Sequence, residues 1–179
     1  MKRLFYLIVA IQMLFLVGQV VFTEVSLHTG RVITLKVAPV DPRSLLMGNY
    51  IDLSYDISTI DLSRVRIEQP QPRFEHGETV YAVLRPGKPY AEIVGVTLER
   101  PSATADNLVY LKGRITDRFD HALVVDYGLD RYYIPEDKED EVDRMAWSAR
   151  GRIGVEVAVT GSGRGIIRRI LVDGKPIGF

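Results

Sequence analysis

The segment from Leu4 to Phe22 constrains this chain more than any other. It holds nineteen consecutive positions without a charge, interrupted only by Gln12, Gly18 and Gln19, and Lys2 and Arg3 stand directly before it. At 1.5 Å per residue such a helix is roughly 30 Å long, the thickness of the hydrocarbon core of a bilayer. A cleavable signal needs an apolar run of only about 7 to 15 residues, with small residues at the exit. The exit here reads VGQVVFTEV, with no Ala-x-Ala. The pattern predicts an uncleaved signal anchor and stalk over residues 1–29, with Leu4 and Phe22 as its membrane ends, in preference to a cleaved secretory peptide or a buried helix.

Orientation is more finely balanced. Lys2, Arg3 and the terminal amine lie on one side of the span; Arg31, Lys36 and Arg43 lie close on the other. The short tail, with both charges against the span, favours an N-terminus in the cytoplasm. Residues 24–179 are then exported, which in a bacterial cell means the periplasmic face of the inner membrane. The first expected partner is the lipid bilayer itself, through residues 4–22. The exported part carries two more acids than bases, so net charge alone does not hold it to anionic headgroups.

Over the whole chain 23 basic residues balance 23 acidic ones. No basic field exists to gather a polyanion, and nucleic acid is excluded as an expected partner. A hydrophobic fraction of 46% with 26% charged residues excludes both a disordered chain and a multi-spanning membrane protein. Cysteine is absent, which removes disulfides, thiolate nucleophiles and Cys-based metal sites.

After the span the periodicity changes. From Arg31 onward Val32, Thr34 and Lys36 alternate with Ile33, Leu35 and Val37, the pattern of a half-buried strand. Further strands are predicted near 50–56, 79–84, 91–99, 108–116, 122–127, 132–134, 154–160 and 166–172, separated by Gly, Pro and Asp clusters. The expected fold class is mainly β: residues 30–179 form one antiparallel β-sandwich or partly open barrel. Two segments break the pattern. Residues 61–77, with Pro70 and Pro72, read as an exposed loop. Residues 137–150 read as one short amphipathic helix, with acids in its first turn and Gly151 as its stop.

Candidate chemistry is sparse. The acids from Glu136 to Asp143 do not fit a calcium loop, because the sixth and twelfth positions counted from Asp137 are Val142 and Ser148. His28, His76 and His121 fall in no metal-binding spacing, so neither a metal nor a cofactor is expected. Residues 161–165, GSGRG, have the composition of a phosphate loop, but a strand-like IIRRILV follows, which predicts a hairpin turn. Tyr127, Tyr132, Tyr133 and Trp147 read as packing residues. Ser44 is the one serine that invites comparison with a Ser-Lys hydrolase of signal-peptidase type, with Lys112 as a conceivable partner, but the spacing and the Pro-Thr of such sites are missing. No catalytic constellation emerges, and the expectation is a protein that is not an enzyme.

Residues 48–55 read GNYIDLSY and follow PVDPR at 39–43. This resembles the GDYXXLXY family: Gly48, Tyr50, Leu53 and Tyr55 occupy the motif positions, and Asp41, Pro42 and Arg43 match its lead-in. Asn49 departs from the motif by keeping turn-forming capacity while discarding the carboxylate charge. VYLKG at 109–113, DYGLDRYYIPE at 126–136 and LVDGKP at 171–176 are similar to later blocks of the same family. The resemblance implies a membrane complex containing a multi-pass integral membrane protein. It implies no activity. The motif itself reads as a turn feeding a strand, with Leu53 and Tyr55 on a core face, and also as a possible interaction surface. The expected function is a non-enzymatic accessory subunit anchored in the membrane. The alternatives are a Ser-Lys envelope hydrolase and a module binding a small molecule, lipid or glycan.

Overall fold

A computed structural model describes residues 2–38, 50–67, 74–101, 107–133 and 153–176. Helix α1 (Lys2–Thr29) comes first and is the only α-helix among the described residues. Its apolar part stands clear of the β strands: none of the Lys2–Val21 segment is buried, and Leu14 is 74% exposed. The helix continues past the apolar run without a break, so the predicted stalk is helical up to Thr29.

The rest is β. Strand β1 (Arg31–Lys36) begins two residues after α1 and pairs antiparallel with β10 (Ile153–Val159). Next to β10 lies β11 (Gly165–Val172), followed by the short β12 (Lys175–Pro176), which completes a four-stranded sheet. Six strands form the second sheet: β3 (Thr59–Asp61), β8 (Ala122–Asp126), β7 (Val109–Phe119), β5 (Thr79–Arg85), β6 (Glu92–Thr97) and β4 (Arg66–Ile67), in that spatial order. A two-stranded ribbon of β2 (Tyr50–Asp52) and β9 (Arg131–Tyr133) joins them. All pairings are antiparallel except β4 with β6.

Period-two patterning decides which faces meet. On β7, Val109, Leu111 and Ile115 are buried while Lys112 and Arg114 are exposed; on β1, Ile33 and Leu35 are buried. These side chains join Val80, Ala82, Leu84, Leu123, Val125, Val155, Val157 and Ile170 in one continuous core between the sheets. Each fully buried branched side chain contributes about 1.5–3 kcal/mol relative to exposure, and the two sheets supply one another's cover.

Free strand edges are closed by loops. Along β1, the Ala91 amide donates to Thr34 O at 2.8 Å, the Ala38 amide to Ser54 O at 2.8 Å, and Val37 forms a bridge with Tyr55. Where β8 ends, the turn between β10 and β11 takes over beside β7, and the Lys112 amide donates to Gly163 O at 2.8 Å. Residues 161–165 thus form the hairpin turn that the sequence predicts.

One sequence expectation changes. The described part of 61–77 is not a simple exposed loop: Asp61 ends β3, Arg66–Ile67 form β4, Leu62, Val65 and Ile67 pack on the core, and Phe74 is buried. Residues 68–73, with Pro70 and Pro72, lie outside the described residues. Asp173 and Gly174, in one of the Asp and Gly clusters that separate the strands, both take positive φ (53° and 76°), and this tight reversal folds β12 back onto β11. The helix expected at 137–150, and the acidic cluster within it, lie outside the described residues.

At Gly113 packing excludes a side chain. A Cβ there would stand 2.3 Å from Val125 Cγ1 and 2.9 Å from Tyr127 Cδ1, because the Val125 and Tyr127 side chains occupy the space over β7 that it would fill. At Gly161 nothing lies within 4 Å. Gly113→Ala is therefore expected to destabilise the domain by about 1–3 kcal/mol, and Gly161→Ala to stay within about 0.5 kcal/mol of the parent. Denaturant titration of the detergent-solubilised chain checks the pair; equal midpoints for both variants would contradict the packing argument.

Candidate functional site

The motif residues that the structure describes sit where the two sheets are joined. Backbone pairing places Tyr50 opposite Tyr133, Ile51 opposite Tyr132 and Asp52 opposite Arg131. The pairing runs on as the Leu53 amide donates to Asp130 O at 2.7 Å. Two blocks more than seventy residues apart in sequence, GNYIDLSY and DYGLDRYY, thus lie side by side.

The chain then turns inward. Leu53 and Tyr55 are only 5% and 4% exposed. Tyr55 Oη donates to Leu129 O at 2.8 Å, and Tyr127 Oη donates to Ile57 O at 3.0 Å. The two bonds are reciprocal: each buried phenol reaches a backbone carbonyl on the segment that carries the other. A buried carbonyl without a donor would cost about 1–3 kcal/mol, so each hydroxyl satisfies a group that the seam would otherwise strand. Between them the 3-10 turn Asp56–Ser58 buries Ile57 and exposes Asp56. Asp56 ion-pairs with Lys36 on β1 at 2.7 Å, and this hydrogen bond and negative charge raise the Lys36 pKa. Both partners are well exposed, so the pair contributes little beyond registry.

Burial pushes the Tyr55 phenol well above its ordinary value, with the charge of Asp130 adding to the effect. Burial alone does the same for Tyr127, and in smaller measure for Tyr132. Neither Tyr55 nor Tyr127 is thereby poised as a general base at neutral pH; both are kept as hydrogen-bond donors.

The sequence offered the motif both as a core-facing strand and as a possible interaction surface. For Leu53 and Tyr55 the core-facing reading is the one the structure shows and the surface reading is corrected: both are consumed in the core, because a phenol can be buried when its hydroxyl finds a carbonyl and a leucine needs no partner at all. Asp52 is exposed. Tyr50 is placed by its backbone in β2. Asp41, Pro42, Arg43, Ser44, Gly48 and Asn49 lie outside the described residues. Leu4 is exposed on α1, and Phe22 lies within the same helix. Among the described residues no group of three His, Asp or Glu side chains is arranged to hold a metal ion. Sequence reasoning missed the partnership itself. Leu129, Asp130 and the carbonyl of Ile57 carry no side-chain signature for their role; only the co-occurrence of the two tyrosine-bearing blocks hinted at it.

Tyr55→Phe and Tyr127→Phe are each expected to cost about 1–2 kcal/mol, because the acceptor carbonyl stays buried. The pH dependence follows from the raised phenols. Free tyrosine titrates near 10. Below that pH both folded and unfolded chains keep these protons and the stabilisation is complete. Above it the unfolded chain loses them while the folded chain does not, so stability falls by up to about 1.4 kcal/mol per pH unit for each tyrosine. Denaturant midpoints measured from pH 7 to 12 should drop above pH 10, and the double Phe variant should show a shallower drop from a lower starting point. Parallel curves would remove the buried-phenol account.

With this geometry in place, the comparisons with known proteins can be read. Neither the curated proteins nor the solved structures contain a significant match. A family model, that of the GDYXXLXY protein, matches residues 12–170. The match takes in the apolar helix from residue 12 onward, both halves of the seam, and the strands from β1 through β10 with most of β11. The chain therefore belongs to the GDYXXLXY protein family.

Proposed function

We propose that this chain is a single-pass, membrane-anchored module whose β domain stands on the extracytoplasmic side and serves as a non-enzymatic accessory subunit of an integral membrane protein. The observation that carries this reading is the uncovered helix. The Lys2–Val21 segment is long and apolar enough to cross a bilayer, and the protein's own domain buries none of it. So large a continuous apolar surface is not left in water, and a bilayer is the environment that matches its length. Lys2 and Arg3 at the start of α1 favour the cytoplasm for the N-terminus.

The accessory role rests on how the motif is used. Its buried side chains hold the two sheets together, which is the work of a scaffold. Beside them Tyr133, across from Tyr50 on the ribbon, is 72% exposed. A large aromatic side chain held outward on a rigid strand is the type of residue that anchors protein contacts.

The test uses tagged full-length protein at native level. Carbonate extraction and intact mass are expected to show an uncleaved chain in the membrane fraction. Purification in mild detergent is expected to bring down a multi-pass protein, which a folded Tyr133→Ala variant should retain at least five-fold less. A soluble, shortened chain would overturn the anchor, and elution of the parent alone would overturn the subunit role.

A further inference from the structure

The chain is neutral overall, but its charges are unevenly placed. Three open clefts, of about 230, 380 and 380 Å³, meet at Ser162 on the turn between β10 and β11. Arg31 and Arg100 line the first, Arg131 and Arg164 the second, and Lys112, Arg114 and Arg164 the third. Among the described residues, Asp126 is the one acid lining any of the three. All six basic residues are exposed. Arg131 is partly neutralised by Asp130 at 3.6 Å. Arg100, Lys112, Arg114 and Arg164 have no acidic partner within 4 Å among the described residues.

The cluster has a built element. Gly163, with φ of 86°, lets the turn approach β7 closely, and the Lys112 amide bonds to Gly163 O. Thr160 Oγ1 accepts from the Arg164 amide at 3.1 Å and lies 2.9 Å from Ser162 Oγ. Arg100 donates to Gly161 O at 3.3 Å, and Arg31 donates to Leu108 O at 3.1 Å. The Arg100 guanidinium is therefore positioned by a backbone carbonyl, which leaves its charge in place, and Arg31 is held beside it by another.

Location identifies the occupant. Thr29, the last residue of α1, lines the same cleft as Arg31 and Gly161. From Phe22 to Thr29 the helix rises roughly 10 Å beyond the apolar run, whereas the polar layer of a bilayer is about 5–8 Å deep on each side. The turn thus stands at the outer edge of the headgroup layer, within reach of long basic side chains. We propose that the 160–164 turn and the six basic residues around it form a docking surface for anionic phospholipid headgroups, which seats the domain on the membrane that α1 crosses. This rests on the reading of α1 as an anchor. Each Lys or Arg close to an anionic surface strengthens binding roughly five-fold, so the local cluster outweighs a net charge near zero.

The probe is the full-length chain in nanodiscs of phosphatidylcholine and phosphatidylglycerol in equal amounts, with the lipids retained after detergent extraction counted by native mass spectrometry. The parent is expected to retain phosphatidylglycerol over phosphatidylcholine by at least about five-fold. Arg100→Gln/Arg164→Gln should lose that preference. Arg66→Gln/Arg85→Gln, which removes the same charge from exposed positions on β4 and β5 outside these clefts, should keep it. Unchanged circular dichroism establishes that each variant is folded. Equal retention of the two lipids by the parent would overturn the proposal, as would equal loss in both double variants; the cluster would then be left to an acidic protein segment. The anchor reading fails separately, through an intact mass lacking the apolar helix. In that case flotation of the shortened native protein with phosphatidylglycerol vesicles, but not with phosphatidylcholine vesicles, would still uphold the headgroup site.

Discussion

Two phenol hydroxyls hold this architecture at its weakest place. A sandwich whose sheets have four and six strands must pass the chain between layers, and each crossing strands backbone groups that no ladder satisfies. Here the crossing falls at residues 53–57 and 127–129. The reciprocal bonds from Tyr55 to Leu129 O and from Tyr127 to Ile57 O answer it with side chains that also fill the core. The arrangement sets further requirements. Tyr127 can lie across β7 only because position 113 has no side chain. Leu53 must follow the ribbon at a fixed register, because its amide bonds to Asp130 O. Val37 and Ala38 then meet Tyr55 and Ser54, which ties the four-stranded sheet to the same point.

Seen from this seam, the family motif has a physical meaning. In GNYIDLSY the spacing of Leu53 and Tyr55 is the strand period of two, which sends both side chains to one face. The tyrosine is required for its hydroxyl as much as for its ring, since leucine or phenylalanine would fill the space and leave the carbonyl of Leu129 without a donor. The second block, DYGLDRYY, supplies the matching tyrosine, the ribbon strand, and a glycine at 128 with φ of 66° that lets the chain turn between them. A sequence signature split into distant blocks is what a strand pairing of high sequence separation leaves behind.

Much of this was legible beforehand, and the exceptions have clear causes. The alternation on β1 and β7 announces half-buried strands because each lies against the core on one face and solvent or a loop on the other, whereas β10, between β1 and β11, is buried on both faces. The apolar helix was legible from length alone. Strands β3 and β4 were not, since two or three residues cannot display a period. Arg66–Ile67 is a strand only because β6 offers it an edge. Phe74 was hidden among polar neighbours and prolines, where a single aromatic residue gives no pattern. At the candidate site the sequence marked Leu53 and Tyr55 as core-facing but gave no means of deriving which distant carbonyls they serve. Backbone acceptors belong to position and not to residue type.

Composition failed in a different way at the 160–164 turn. A chain with equal numbers of acids and bases appears electrically uninformative, yet neutrality is a sum, and a membrane surface responds only to charges within about a Debye length, roughly 8–10 Å. The fold sorts the charges by bringing Arg31, just past the helix, beside residues contributed by β7, β9 and the loops after β6 and β10. Five separate regions of sequence, none of them a basic run, become one face. That face adjoins the end of α1 because β1 begins there and β10 pairs with it from Arg31 onward. With α1 as the proposed anchor, the end of the sandwich that carries this face is the end set toward the bilayer. A single residue, Gly30, separates helix from sheet, so on that reading this short connection gives the β domain its membrane side.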